Sequence, residues 1–308
     1  MAAMIVSASR RTDIPAFYMP WFLRRLEVGW CRVVNPFNPR QERRVSLRPG
    51  DVDAIVFWTR RPDRLAAALE EIERRGHRRT MALVTVVDYG RDLHPHLPRR
   101  RELVAGMHRL AETYGAAARV VWRYDPILLG PRDEPDAHRR RFERLARELE
   151  GAARRVVVSF VDLYRKTRRR LSALGPGGYP LAGEGVEDTP GARALIRDLA
   201  AMAAERGIEM RTCAESLSYA AEGAPAGRCV DPRLLAALFP GAELPAGKDR
   251  GQRPHCGCCP SVDVGAPDTC LHGCVYCYAV RSQEAARNAH ARHDPAGETL
   301  VPRAGPGS

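Results

Sequence analysis

The stretch AIVFWTRRPDRLAAALEEIERRGHRRTMALVTVV, residues 54–87, holds two apolar runs separated by an amphipathic segment. The runs Ala54–Trp58 and Met81–Val87 are short and rich in β-branched residues, which is typical of buried strands. Between them, Pro62–Arg75 has its apolar residues at helical spacing. A strand, a helix and a second strand in this order predict a βαβ unit with parallel strands.

The same alternation continues along the chain. The other candidate strands are Met4–Ser9, Arg119–Arg123, Arg155–Phe160 and Ile208–Thr212, and the other helical segments are Leu103–Tyr114, Glu134–Glu150 and a helix starting at Thr189 and Pro190. Six such units predict an α/β fold, a partial (β/α)6-type TIM-like barrel over residues 1–222. A Cys-rich, cluster-binding segment packed on the barrel is expected at 223–293, and a disordered tail at 294–308.

Polar residues follow each predicted strand. In a (β/α) barrel these loops form the active-site face, although βα loops also use polar residues as helix caps and turn formers. Arg123 and Asp125 lie two apart at a strand end, point to the same side and are the leading catalytic candidates. The further catalytic candidates are Arg10, Asp13 and Glu215. Arginines at this mouth would suit a small anionic substrate.

The chain has 308 residues and a formal net charge of +12. The basic residues are nearly all arginines spread along predicted helices, so nucleic acid is a candidate partner that the sequence does not favour. No apolar run has the length that spans a bilayer, and the N-terminal stretch does not resemble a signal peptide. We therefore expect a cytoplasmic protein with no membrane partner.

Six of the nine cysteines crowd into residues 256–277. In a reducing compartment this clustering indicates metal binding or catalysis. The segment CLHGCVYCYA, residues 270–279, spaces Cys270, Cys274 and Cys277 so that three thiolates can hold three irons of a [4Fe–4S] cluster and leave the fourth iron open. The alternative is a zinc site with His272, or a cysteine of HCGCC at 255–259, as the fourth ligand.

A candidate second metal site consists of Cys213, Cys229, Cys256 and Cys258, for a second Fe–S cluster or a four-cysteine zinc site. Cys259 could replace Cys258. Cys229 is expected to begin a short helix. The alternative is that Cys213 is a buried core thiol and Cys229 a loop residue.

The three spaced cysteines, together with the aromatic Tyr276, resemble the signature of the radical S-adenosylmethionine superfamily, and CVYCYA is most similar to its spore-photoproduct-lyase-like branch. The resemblance implies that S-adenosylmethionine binds the open iron and is cleaved, after one-electron reduction, to methionine and a 5′-deoxyadenosyl radical that abstracts hydrogen from substrate. It also implies an electron donor such as flavodoxin or ferredoxin. Tyr276 and Gly273 are the candidate cofactor-binding residues within the loop.

Nearly the whole chain, from SRRTDIPAFY at residues 9–18 through WRYDPIL at 122–128 to KDRGQR at 248–253, resembles a bacterial family known as domain of unknown function 1848. That resemblance implies a cysteine-rich C-terminus and no known reaction.

Two features depart from the radical enzymes. Their cluster loop usually follows the first strand, whereas here it lies near the C-terminus, and no Gly-Gly-Glu segment follows the early strands. A circular permutation would reconcile the loop position, with Ser261–Gly265 as a strand beside Met4–Ser9 and Val280–His293 as its helix. The alternatives are a separate cysteine module, an Fe–S redox or sensor protein without S-adenosylmethionine, and a zinc-stabilised nucleic-acid-binding protein.

Overall fold

A computed structural model of the protein describes residues 3–36, 38–183 and 185–302. The strands in this part of the chain are β1 (Ile5–Ala8), β2 (Trp30–Asn35), β3 (Asn38–Ser46), β4 (Ala54–Thr59), β5 (Thr80–Thr85), β6 (Val120–Ile127), β7 (Arg155–Phe160), β8 (Glu209–Thr212) and β9 (Val262–Asp263). Over the described residues, seven of them form one sheet in the order β8-β7-β6-β5-β4-β1-β9, in which every neighbouring pair is parallel. The α/β class and the parallel sheet predicted from the sequence are thereby confirmed.

The helices cover the connections between strands. They are α1 (Ile14–Phe17), α2 (Met19–Val28), α3 (Pro62–Arg74), α4 (Arg100–Tyr114), α5 (Pro135–Glu148), α6 (Arg165–Ser172), α7 (Pro190–Ala204), α8 (Pro232–Leu238) and α9 (Gln283–Ala291). Proline stands in the first turn of α3, α5, α7 and α8, where its missing N–H costs no helical hydrogen bond. The side chain of Thr189 caps α7, as its position before Pro190 predicts.

The strand predicted at residues 261–265 forms as β9 and pairs with β1. Val6 lies opposite Val262, and Ser7 lies opposite Asp263. The Asp263 carboxylate secures this pairing, since it accepts hydrogen bonds from Ser9 Oγ at 2.5 Å and from the Arg10 backbone N–H at 2.8 Å. The last strand of the chain therefore adds to the sheet beside the first.

The two faces of the sheet pack against different partners. One face contributes Phe57, Val84 and Trp122 to the large core under the helices. The other face contributes Val56 and Leu83 to a second core that also contains residues of α8 and five cysteines. Burial on both faces explains why the strands read as continuous apolar runs rather than alternating patterns. The Cys-rich segment thus covers one face of the sheet.

The antiparallel hairpin of β2 and β3 was not predicted. Residues 40–44 of β3 read RQERR, so no apolar signal marks the strand, and it is the pairing with β2 that places Val45 opposite the buried Cys31.

Two expectations near the C-terminal end are wrong for described residues. The segment 294–302 was expected to be disordered, but Trp21 Nε1 donates to the Gly297 carbonyl at 2.9 Å and Leu300 is 3% exposed. Residues 303–308 lie outside the described residues. Cys229 does not begin a helix, because Asp231 caps α8 and the helix starts at Pro232. No described helix is both long and apolar enough to cross a bilayer.

Candidate functional site

A cavity of about 280 Å³ opens at the carboxyl ends of the parallel strands. Its lining combines three groups of residues: strand-end residues, the cysteine loop and the second cysteine group. They include Arg10, Asp13, Trp58, Thr59, Arg60, Thr85, Arg123, Asp125, Ser159, Cys213, Cys229, Cys256, Cys258, Cys270, Cys274, Tyr276 and Cys277. The structure thus brings together every predicted site residue except Gly273 and Glu215.

The loop that carries Cys270, Cys274 and Cys277 is held by backbone contacts on both sides. The Val275 N–H donates to the Leu93 carbonyl at 3.1 Å, and Arg170 donates to the Cys277 carbonyl. Gly273 has φ +76°, and a Cβ there would lie 2.8 Å from Pro95 Cγ. Gly273 therefore allows the turn and the close packing of the loop, and it does not line the cavity.

Asp13 connects the cysteine loop to the sheet. Its buried carboxylate accepts hydrogen bonds from Thr59 Oγ1 at 2.8 Å, from the Arg60 N–H at 2.7 Å and from the Ala16 N–H at 3.0 Å. His272 Nε2 lies 2.7 Å from the other side of the same carboxylate. Asp13 is thus a positioning residue: through His272 it holds the cysteine loop against the end of the sheet.

Tyr276 forms the centre of a second buried contact in the loop. Its hydroxyl lies 2.8 Å from Arg60 Nη2 and 2.5 Å from His94 Nε2. Burial, reinforced by the Arg60 charge, holds the pKa of His94 well below its ordinary value, so this imidazole is neutral. Tyr276 directly precedes Cys277, so this contact joins that part of the loop to Arg60, the residue after β4.

Burial disfavours the thiolate form of two loop cysteines, Cys270 and Cys274. Burial raises the pKa of Cys270 well above its ordinary value, and burial also raises that of Cys274. The Arg60 guanidinium acts in the opposite direction on Cys274. A bound metal would supply the positive charge that holds such thiols as thiolates.

Arg123 and Asp125 form an ion pair at the end of β6, as their spacing predicts. Ser159 Oγ donates to Asp125 at 2.6 Å from the neighbouring strand β7. The Arg123 guanidinium carbon lies 5.0 Å from the Trp58 ring centroid, and that of Arg10 lies 5.1 Å from the same ring. The two arginines therefore stack on one aromatic residue in the cavity wall.

Cys213, Cys229, Cys258 and Cys256 contact one another in that order. Cys213 Sγ lies 3.2 Å from Cys229 Sγ, and Cys258 hydrogen-bonds to both Cys229 and Cys256. These bonds, from Cys229 first, lower the pKa of Cys258. Cys259 is buried beside Cys258 but does not line the cavity, and its N–H donates to the Val230 carbonyl.

In residues 3–36, 38–183 and 185–302, no three His, Cys, Asp or Glu side chains already surround a common point as metal ligands. The donor chemistry nevertheless suits soft metals, because both cysteine groups consist of free thiols that line a cavity.

The prediction for Glu215 as a catalytic residue is not supported by its position. Its carboxylate accepts the Phe160 N–H at 2.9 Å and does not line the cavity. The loop after β8 turns away at this point, because Ala214 has φ +58°. Burial raises the pKa of Glu215 to about 7.

Trp58, Thr85 and Ser159 line the cavity and were not among the candidates. They are the last or the next-to-last residues of strands β4, β5 and β7, so the strand-end rule that selected Arg123 could have found them. They were missed because a tryptophan, a threonine and a serine also read as ordinary strand residues.

The model of the family described as "Domain of unknown function (DUF1848)" matches residues 5–279. The chain belongs to this family. The match includes β9 and the three cysteines of the loop, so both are part of the family's shared region. No curated protein matches the chain.

Similar solved structures include a chitinase from Chromobacterium violaceum ATCC 12472 and the carboxyl transferase domain of Rhizobium etli pyruvate carboxylase with pyruvate. Each is 12% identical to this chain. The TM-scores are 0.27 and 0.28, with 70% and 79% of this chain covered. The chain covers 57% of the first structure and 44% of the second. TM-scores this low carry no weight for the fold.

Proposed function

We propose that this DUF1848 chain is an iron–sulfur enzyme of the radical S-adenosylmethionine type, with a [4Fe–4S] cluster held by Cys270, Cys274 and Cys277. The observation that carries the proposal is the shared cavity: a loop from the end of the chain places its three cysteines among side chains from the carboxyl ends of the strands. In parallel α/β proteins this face is where active sites lie. A purely structural zinc site would not need that position.

The position of β9 beside β1 also supports the proposal. Because β9 pairs with β1, the loop that follows β9 lies at the same end of the sheet as the loops after β1 and β4. A loop placed after an edge strand beside β1 is what the permutation hypothesis requires. Residues from the loops after β8 and β9, the two edge strands, line one cavity, which supports the TIM-like barrel.

When bound with one open iron, such a cluster supplies the coordination site and the electron for cleavage of S-adenosylmethionine. The protein's own residues would do the rest. Asp13 and Tyr276 hold the loop in position. Arg10 and Arg123 would attract the anionic part of a small substrate. The electron would come from a donor such as flavodoxin or ferredoxin.

The test is anaerobic purification and cluster reconstitution, then reduction in the presence of S-adenosylmethionine and detection of 5′-deoxyadenosine. We expect iron, a brown colour and deoxyadenosine formation, all lost in Cys274→Ala. Cys31→Ala is the matched control, because Cys31 is also buried but does not line the cavity. Iron loading without deoxyadenosine would favour an Fe–S redox or sensor protein, and a colourless zinc protein would contradict the proposal.

A further inference from the structure

Four cysteines outside the cluster loop come together from three separate segments of the chain. Cys213 follows β8, Cys229 lies in the loop before α8, and Cys256 and Cys258 lie in the loop before β9. They form one continuous row of thiols, from Cys213 through Cys229 and Cys258 to Cys256. All four are buried, and all four line the cavity.

Positive charge surrounds this row of thiols. Arg10 interacts electrostatically with Cys258 and Cys229, and Arg123 does so with Cys213 and Cys229. Among the described residues, Arg10 Nη2 and Arg123 Nε are buried without a hydrogen-bond partner. Four neutral thiols would leave these donors uncompensated, whereas thiolate sulfurs would provide both acceptors and negative charge.

A backbone donor points to the same conclusion. The Val230 N–H lies 3.3 Å from Cys258 Sγ and donates to it. N–H donors around sulfur are part of the surroundings that tune metal–thiolate centres. Cys258 therefore receives hydrogen bonds from the backbone and from the thiols of its two neighbours in the row.

We propose that Cys213, Cys229, Cys256 and Cys258 form a second, four-thiolate metal site that binds either one Zn²⁺ or one Fe–S cluster. Arg10 and Arg123 would offset its negative charge. Four sulfurs around zinc stand about 3.8 Å apart, given Zn–S bonds of about 2.3 Å. The observed 3.2 Å between Cys213 Sγ and Cys229 Sγ is shorter, so this pair would move apart by roughly half an ångström on zinc binding.

The site has a structural consequence for the sheet. β8 and β9 are its two edge strands. Cys213 directly follows β8, and Cys258 stands four residues before β9. A metal held by both residues would tie the two edges of the sheet together and would form one wall of the cavity.

The first experiment uses a variant that lacks the proposed cluster site. In the full chain with Cys270, Cys274 and Cys277 all changed to Ala, we expect metal analysis after anaerobic reconstitution to find about one zinc per chain or about four irons with matching sulfide. The two results distinguish zinc from a cluster, and both support a four-thiolate site. Adding Cys258→Ala should abolish metal retention. Cys259→Ala is the matched control, since it removes an adjacent buried thiol, and it should leave the metal content unchanged.

A second measurement keeps the proposal testable if the multiple variant fails to fold. Titration of the otherwise unaltered chain with Co²⁺ should give the visible absorption of a tetrahedral thiolate site, lost in Cys258→Ala and kept in Cys259→Ala. Absence of metal from the folded triple variant, or a Co²⁺ spectrum that Cys258→Ala does not change, would overturn the proposal. Because the second site is separate from the cluster loop, Cys258→Ala should still retain the iron held by Cys270, Cys274 and Cys277.

Discussion

Asp13 shows how far one polar residue at a strand end can be interpreted from sequence. Its place after β1 predicted a site residue, and Asp13 does line the cavity. Its role could not be predicted, because His272 lies 259 positions away in the sequence and meets it only in the folded chain. A carboxylate that accepts from three donors and contacts an imidazole orders the structure around it, and it is poorly placed to transfer a proton.

Glu215 provides a test at the residue scale. Burial raises its pKa to about 7, from an ordinary value of 4.5. The folded state thus prefers the protonated form, and this contribution to stability is complete below about pH 4.5 and lost as the pH rises through 7. Glu215→Gln keeps an acceptor for the Phe160 N–H and removes the titration.

We expect the free energy of unfolding of Glu215→Gln to match the wild type at pH 4.5 and to exceed it by roughly 1–3 kcal/mol at pH 8. Chemical denaturation at a series of pH values measures this. Glu112→Gln, which changes an exposed carboxylate on α4, is the control and should follow the wild-type pH dependence. Parallel pH curves for the wild type and Glu215→Gln would show that burial does not perturb this carboxyl.

At the scale of elements, the cysteine loop depends on backbone geometry at Gly273. Its φ of +76° lies in the left-handed region, which costs an L-residue about 1–2 kcal/mol. An added Cβ would also lie 3.0 Å from His96 Cδ2 and closer still to Pro95. We expect Gly273→Ala to lower the free energy of unfolding by about 2 kcal/mol or more and to reduce iron loading.

Iron content after reconstitution and thermal unfolding would measure both effects of Gly273→Ala. Gly191→Ala is the control, because a Cβ at that helical position meets no atom within 4 Å and its φ is ordinary. Full iron loading in Gly273→Ala would mean that the loop tolerates another conformation.

Elements with a strong periodic signal could be predicted, and elements held by pairing alone could not. β7 forms over Arg155–Phe160, the range that its apolar run predicts. β9 has two residues, and it was predicted from the position that the permuted topology required. β3 is mostly polar, so its strand conformation comes from pairing with β2 rather than from its own composition.

At the scale of the whole molecule, the segment 294–302 packs against the N-terminal helix α2. Arg25 Nη2 donates to the Ala296 carbonyl at 3.1 Å, in addition to the bond from Trp21 and the burial of Leu300. Removing all residues after His293 should lower the free energy of unfolding by about 3–5 kcal/mol, from lost apolar burial and hydrogen bonds.

Thermal and denaturant unfolding of the truncated chain would measure this loss. Glu298→Gln is the control, since it removes only an exposed ion pair with Arg32 and should change stability by less than about 1 kcal/mol. Equal stability of the truncated and intact chains would mean that the segment contributes nothing to the fold.

The pairing of β1 with β9 also determines when the protein can mature. Ser7 and Asp263 are 256 positions apart, so β1 leaves the ribosome long before its partner is translated. At translation rates of about 5–20 residues per second, that edge of the nascent sheet waits roughly 10 to 50 s without a neighbouring strand. The cysteine loop emerges later still. If the proposed cluster binds this loop, it can do so only after Cys277 has been translated, and the exposed edge of β1 must avoid pairing with other chains until β9 has emerged.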